Sequence, residues 1–267
     1  IDNLYFNTNI FITGDFSVIG TGTDHVDEAL RMSNTSTGYT ITVGGNMTVD
    51  SDAIIKMNNG SGSCFLNIGG DLFLNSGNIT ISTGNANSTI SVDGNVDLSG
   101  GVLRMQEDPN TVLGILEVGG NFLLSGSALI TEENSEGEGS IVFNGSSIQS
   151  FIRTGGIIER TINFSVNSGS VLDMGTYVID GSDGSFTLNN NSGIITAHPD
   201  GISNTLSTGC IQVTGAKTFS SSADFTYNAS VPQVTGNAIP FQVRDLTIDN
   251  PSDVSLYTSV QVGRTLQ

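Results

Sequence analysis

TITVGGNMTV, residues 40–49, carries a pattern that recurs along the chain. Apolar and polar residues alternate on both sides of a Gly-Gly-Asn interruption, which is the pattern of two short strands joined at a corner. The Gly-centred pattern returns along the chain, with its glycine at Gly14, Gly45, Gly70, Gly94, Gly120 and, more weakly, Gly145. Successive glycines are 31, 25, 24, 26 and 25 residues apart. A repeat of about 25 residues indicates a solenoid.

Each repeat predicts three strands. Two of them flank the Gly-Asn or Gly-Asp pair, and the third follows a Ser-Gly pair that recurs at Ser76-Gly77, Ser99-Gly100, Ser125-Gly126, Ser168-Gly169 and Ser192-Gly193. Like residues that return in every repeat are expected to stack in a parallel β-helix. We therefore predict an all-β fold, a single-stranded parallel β-helix with about 25 residues per coil. The usual crossover preference predicts right-handed winding.

The repeat also predicts the organisation of the chain. We expect one continuous β-solenoid over residues 1–267, with regular coils at 9–150 and more divergent coils at 151–267. Around the first corner, alternation directs Ile41, Val43, Met47 and Val49 inward. HVDEALRM, residues 25–32, predicts at most a one-turn helix in the first insertion. Neither terminus shows the polar cap that a free solenoid needs, so we expect a fragment of a longer protein.

Charge and cysteine content narrow the classes of function. The formal net charge is −18, from 26 acidic residues and 8 Lys plus Arg. Such a chain lacks the basic patch that nucleic acid requires, and no apolar run approaches the ~20 residues of a membrane helix. We expect no nucleic-acid partner and no direct membrane insertion. Cys64 and Cys210 are about six coils apart, nearly ~30 Å at ~4.8 Å per coil, so two unpaired thiols are predicted, with Cys64 directed inward.

Enzymes occur on parallel β-helices, and their chemistry was sought among the charged residues. A lyase needs an Arg or Lys base near an acidic calcium cluster, and a hydrolase needs paired carboxylates, one with a raised pKa. Neither signature is present in the sequence. Arg104 and Arg153 could share a face with Glu107 and Asp108, where ordinary surface ion pairing explains them better. We therefore assign no catalytic and no cofactor-binding residues.

Histidines and acidic turns are the remaining candidates for ligands. His25 and His198 are far apart and have no third partner, so each is interpreted as a loop residue. Calcium prefers oxygen ligands, which the sequence groups at Asp50-Ser51-Asp52, at Asp180 with Asp183, and at Asp24 with Asp27 and Glu28. None completes a known calcium loop, and Asx side chains that cap their own turns account for them equally well. We expect no cofactor; calcium at unspecified positions stays open, and the metal-ligating residues are unknown.

The last 95 residues or so resemble a known class of proteins. VLDMGTYVIDGSDGSFTLNNNSGIITAHPDGI, TGCIQVTGAKTFSSSADFTYN and RDLTIDNPSDVSLYTSVQVGRTL are similar to the repeat-rich segments of very large secreted surface proteins of the Bacteroidota. The resemblance implies export by type IX secretion, attachment to the cell surface and, in some members, a role as adhesins. It implies no catalytic or binding residues for this chain.

Two hypotheses of function follow. We predict a non-enzymatic structural or adhesive segment of a large secreted protein, located at the cell surface. Its partners would be neighbouring domains of the same long chain and, at the variable loops, surface glycans or proteins. The alternative is a β-helix carbohydrate-active enzyme or glycan-binding module, such as a polysaccharide lyase, a hydrolase or a tailspike-like protein. The absence of Trp and the presence of only 5 Tyr weigh against a sugar platform.

Overall fold

The computed structural model describes residues 3–20, 29–107, 112–133 and 138–267. Within these ranges the regular elements are β-strands, and none is a helix. The strands are β1 Leu4–Tyr5, β2 Ile10–Ile12, β3 Phe16–Ile19, β4 Leu30–Ser33, β5 Thr40–Val43, β6 Met47–Asp50, β7 Ile54–Asn58, β8 Phe65–Ile68, β9 Leu72–Leu74, β10 Asn78–Ser82, β11 Ser88–Val92, β12 Val96–Leu98, β13 Val102–Gln106, β14 Leu113–Val118, β15 Phe122–Leu124, β16 Leu129–Thr131, β17 Glu138–Phe143, β18 Ile148–Arg153, β19 Ile157–Ile158, β20 Ile162–Val166, β21 Val171–Asp173, β22 Phe186–Leu188, β23 Gly193–Thr196, β24 Lys217–Phe219, β25 Asp224–Tyr227, β26 Gln233–Val234, β27 Gln242–Ile248, β28 Val254–Ser255 and β29 Gln261–Leu266.

The chain divides into two compact units. Unit 1 comprises residues 1–141 and 154–162, and unit 2 comprises residues 142–153 and 163–267. Unit 1 therefore holds β1 to β16 and β19, and unit 2 holds β18 and β21 to β29. Strands β17 and β20 each contribute residues to both units.

Unit 1 is a parallel solenoid with three sheets. The first sheet has the order β1-β4-β7-β10-β13-β16-β19, the second contains β2-β5-β8-β11-β14, and the third contains β3-β6-β9-β12-β15. Every third strand joins the same sheet, so each coil supplies one strand to each face. The register is regular: Ile54 pairs with Asn78, and Asn78 with Val102, at 24-residue steps.

The core of unit 1 consists of apolar rows that run from coil to coil. In the second sheet Ile41, Leu66, Ile90 and Leu116 are paired in register, and all are completely buried. Burying one such side chain contributes about 1.5–3 kcal/mol, before the entropy of ordering the chain is subtracted. Stacking like on like in this way explains why the sequence repeats.

Unit 2 is a parallel solenoid with less regular coils. One sheet has the order β18-β21-β23-β25-β27-β29, another contains β20-β22-β24, and β26 pairs with β28. Gly193 pairs with Asp224, 31 residues on, while Asp224 pairs with Asp245, only 21 residues on. Aromatic side chains pack in this unit, as where the ring centroids of Phe186 and Phe219 lie 5.6 Å apart.

The structure confirms the predicted fold class and corrects one element. Both units are parallel β-solenoids, and the inward residues predicted around the first corner are buried. The short helix is wrong at its end, because Leu30–Met32 lie in β4, where Leu30 pairs with Leu4 and Ile55. The rest of that segment, residues 25–28, lies outside the described residues. Right-handed winding and one continuous solenoid over 1–267 stay predictions.

Candidate functional site

The repeated Gly-Asx corner forms a ladder of side chains along unit 1. The Oδ1 atom of Asp15 accepts a hydrogen bond from the backbone N–H of Asn46 at 2.8 Å. In the same way Asn46 accepts from Asp71 at 2.8 Å, Asp71 from Asn95 at 2.6 Å, and Asn95 from Asn121 at 2.8 Å. We call these five residues the Asx ladder. Its oxygens are engaged in joining successive coils, so the corner is a structural feature.

The glycines before Asn46, Asp71, Asn95 and Asn121 are required by space. A Cβ at Gly70 would lie 2.3 Å from Asn46 Oδ1, and one at Gly45 would lie 2.3 Å from Asp15 Oδ1. Neither glycine has a positive φ, so the tight approach of the previous coil, and not a left-handed backbone, is the reason for glycine at this corner. Left-handed glycines occur instead at the Ser-Gly corner, as at Gly77 with φ of 77°.

The acidic turn at Asp50-Ser51-Asp52 binds its own backbone. Asp50 Oδ1 accepts from the Ser51 N–H at 2.6 Å and from Ser76 Oγ on the next coil at 3.0 Å. These hydrogen bonds, chiefly that from Ser51, hold the pKa of Asp50 below its ordinary value. Ser51 and Asp52 have φ of 53° and 62°. The turn is therefore an Asx-capped corner between coils.

The acidic candidates Asp180 and Asp183 each bind a separate partner. Asp180 pairs with Arg153 at 2.5 Å, and Asp183 Oδ1 accepts from Thr214 Oγ1 at 2.9 Å. Across the part of the chain that the structure describes, no three His, Cys, Asp or Glu residues come close enough to hold a metal ion. Asp24, Asp27, Glu28 and Asp108 lie outside those residues.

His198 is part of a turn in unit 2. Its Nδ1 accepts from the backbone N–H of Asp200 at 3.1 Å, and its carbonyl accepts from Gln233 Nε2 at 3.0 Å. The imidazole is therefore used to shape its own loop. His25 lies outside the described residues.

Arg104 and Arg153 each make an ion pair, which is the interpretation that the sequence favoured over a shared active-site face. Arg104 lies in β13, in the first sheet of unit 1, beside Glu107. Arg153 ends β18 of unit 2, where it binds Asp180.

Three further cations of unit 2 hold the chain together. Arg244 donates to both carboxylate oxygens of Asp224, at 2.7 and 2.6 Å, and to Asn191 Oδ1 at 2.8 Å. Arg264 makes a similar two-pronged ion pair with Asp245 of the preceding coil. Lys217 Nζ donates to two backbone carbonyls, and burial lowers its pKa.

A row of cations lies on the outer face of the first sheet in unit 1. Arg31 pairs in register with Lys56, Lys56 with Thr80, and Thr80 with Arg104. Lys56 Nζ binds the Glu107 carboxylate at 2.6 Å, whereas Arg104 Nη1 lies 3.9 Å from it. We call Arg31, Lys56 and Arg104 the cationic row. The sequence interpretation missed it, although aligning the repeats by their 25- and 24-residue steps would have found it.

A pair of carboxylates on neighbouring coils was also missed. Asp97 is central in β12, where its register partners are Phe73 and Leu123. Its Oδ1 is buried without a hydrogen bond partner. Burial, and secondarily the charge of Asp71 on the preceding coil, raise the pKa of Asp97. An acid between two apolar residues in the repeat is the sequence signal that points to this position.

Both cysteines are free and Cys64 is buried, as predicted, and Cys210 is buried as well. Cys64 is completely buried in unit 1, and burial raises the pKa of its thiol. Burial raises the pKa of Cys210 in unit 2 to about 11. Both thiols therefore stay protonated at neutral pH and pack as small apolar side chains.

A shallow open recess lies at one corner of unit 2. Its volume is about 460 Å³, and it is lined by Asn167, Ser168, Asn189 and Asn190. Asn189 Nδ2 donates to the Val166 carbonyl at 2.9 Å, and Asn190 Oδ1 accepts from Ser220. These two amide side chains therefore also join neighbouring coils of the same chain.

Among the residues that the structure describes, no helix is long and apolar enough to cross a membrane. Comparisons of the sequence with protein-family models, with curated proteins and with solved structures find no match.

Proposed function

We propose that this chain is a non-enzymatic structural or adhesive segment of a large secreted protein at the cell surface. The observation that carries the proposal is the use of polar side chains as coil-to-coil links. The Asx ladder joins coils in unit 1, and the Arg244–Asp224 ion pair does so in unit 2. The side chains of the Asx ladder, and of Arg244 and Asp224, are thus engaged in cohesion.

The proposed mechanism is mechanical. Within each unit, parallel backbone hydrogen bonds and buried apolar rows bind every coil to its neighbours. Such nearest-neighbour cohesion resists local opening, because removing one coil exposes the faces of two others. Loops between the sheets, such as residues 59–64, vary from coil to coil and are the positions at which this proposal places recognition of surface glycans or proteins.

The proposal is tested by binding and turnover together. The purified chain is applied to a glycan array, and every glycan that it binds is then incubated with the protein and analysed for shortened products. We expect any bound glycan to stay intact. Reproducible cleavage would refute a non-enzymatic role.

The paired carboxylates Asp71 and Asp97 favour a second candidate, a glycoside hydrolase. Such hydrolases use a carboxylic acid with a raised pKa, as at Asp97, and a second carboxylate beside it, a place that Asp71 would fill. If cleavage is observed, Asp97→Asn should abolish it while the matched variant Asp93→Asn on the same coil keeps it. Cleavage that survives Asp97→Asn would exclude this site.

A further inference from the structure

The cationic row is costly for the fold as it stands. Arg31 and Lys56 are register partners, so two like charges stand on neighbouring strands ~4.8 Å apart. Like charges placed opposite each other in a sheet are destabilising. The chain has 8 Lys and Arg against 26 acids, yet three of the eight share this one row. A chain this rich in acids has set only one described carboxylate against the row, which leaves room for an external anion.

Polar groups in the row lack partners. The Nε atoms of Arg31 and Arg104 and the Oγ1 atom of Thr80 are buried without a hydrogen bond. Thr80 is completely buried between the coils that the Lys56–Glu107 ion pair joins. A buried polar group without a partner is costly to the fold, which is a second sign that the row is incomplete on its own.

One carboxylate among the described residues pairs with the row. Glu107 engages Lys56 closely, at 2.6 Å, and Arg104 only at 3.9 Å. The guanidinium groups of Arg31 and Arg104 thus keep donors for a further acceptor, and the group of three cations and one carboxylate has an excess of two positive charges.

We propose that the cationic row binds an acidic polysaccharide that carries carboxylates along an extended chain. A guanidinium binds a carboxylate through two parallel N–H donors. Arg31 and Arg104 are three coils apart, ~14 Å, so a small anion spans only part of the row whereas a chain of uronic acids spans all of it. The net charge of −18 repels densely charged polymers such as nucleic acid. A polysaccharide with more widely spaced carboxylates is repelled less, because salt screens it from acidic residues more than ~8 Å away.

The inference goes beyond the proposed function. The row lies on regular coils of unit 1, outside the variable loops to which the proposed function assigns recognition. Binding of an anion by the row is independent of whether the segment serves as a mechanical element or as an enzyme.

Calorimetric titration of the full chain with a short oligogalacturonate tests the inference. We expect binding that weakens with added salt, and no binding of the neutral methyl ester of the same oligomer. Arg31→Gln and Arg104→Gln should each weaken binding about tenfold or more, and Arg31→Lys should restore part of it. Arg264→Gln, which removes one positive charge in unit 2, is the matched control and should bind as the wild type does.

Three results would overturn the inference. They are the absence of binding by the wild type, equal binding of the methyl ester, and an equal loss in Arg264→Gln and Arg31→Gln. Circular dichroism spectra of each variant establish that a loss of binding is not a loss of fold.

Discussion

At the scale of single residues, the neighbouring coil decides which side chain a position accepts. Gly70 has an ordinary φ, yet it must be glycine because Asn46 Oδ1 occupies the place of its Cβ. Asn46 must in turn carry an oxygen, because the Asp71 N–H donates to it. Each requirement is passed to the next coil, and this is the physical origin of the repeated Gly-Asx pair.

Gly70→Ala should destabilise unit 1 by about 1–3 kcal/mol, since the new methyl group meets Asn46 Oδ1 at 2.3 Å and the Gly45 backbone at 2.8 Å. Gly14→Ala is the matched control at the same repeat position, because nothing lies within 4 Å of its Cβ. We expect the control to stay within about 0.5 kcal/mol of the wild type. Urea unfolding measures both, and equal effects of the two variants would contradict the steric explanation.

Asp97→Asn should stabilise the protein at neutral pH, by about 1 kcal/mol or less for a half-buried group. The raised pKa means that folded Asp97 holds its proton more tightly than unfolded Asp97 does. The wild type therefore loses folding stability as the pH rises from 3.8, the ordinary pKa of this carboxyl group, to its raised pKa in the folded state. Above the raised pKa the loss of stability stays at its full size.

The measurement is the difference in melting temperature between Asp97→Asn and the wild type as a function of pH. We expect the variant to gain its advantage as the pH rises through that window. A difference that does not change with pH would mean that Asp97 titrates normally. Asp71→Asn should reduce the advantage of Asp97→Asn, because it removes the charge that helps to raise the pKa of Asp97. The amide oxygen of the new side chain still accepts from the Asn95 N–H, so the corner keeps its hydrogen bond.

At the scale of strands and corners, local alternation predicts most of unit 1. The strands on either side of Gly45, and their buried residues, follow from period-two patterning alone. The helical interpretation of Leu30–Met32 fails because pairing with β1 and β7 overrides a local sequence rich in charged residues.

The candidate sites were harder to predict than the strands. Arg31 and Lys56 are 25 residues apart, and only the register of the coils makes them neighbours. The environment of Asp97 likewise depends on Phe73 and Leu123 from adjacent coils. Sequence patterning gives the direction of a side chain, whereas its neighbours across coils require the exact length of every loop.

Arg244→Lys should weaken unit 2, because an ammonium group cannot donate to both oxygens of Asp224 and to Asn191 as the guanidinium does. We expect a loss of about 0.5–1.5 kcal/mol, since Arg244 and Asp224 are partly exposed. A double-mutant cycle with Asp224→Asn, followed by thermal unfolding at low and high salt, measures the coupling. Zero coupling at low salt would show that the ion pair contributes nothing.

At the scale of the whole molecule, cohesion between neighbouring coils is expected to set stability. In such a one-dimensional system, opening spreads from coil to coil, and a weak junction divides the chain into parts that unfold separately. The predicted continuous solenoid over 1–267 therefore has a thermodynamic consequence: its two ends should unfold together.

The two cysteines allow this to be measured, because each unit holds one buried thiol. Cys64→Ala and Cys210→Ala each leave a single thiol, in unit 2 and unit 1 respectively. In the folded state both thiols should resist a thiol-reactive dye, because they are inaccessible and stay protonated at neutral pH, with the pKa of Cys210 raised to about 11. Labelling after a pulse at increasing urea concentrations then reports the opening of each unit.

A continuous solenoid predicts that both variants become reactive at the same urea concentration. Each alanine also shifts the urea midpoint of unfolding, and circular dichroism measures that shift. If the labelling midpoints of the two variants differ by more than this shift, the chain unfolds as two independent units.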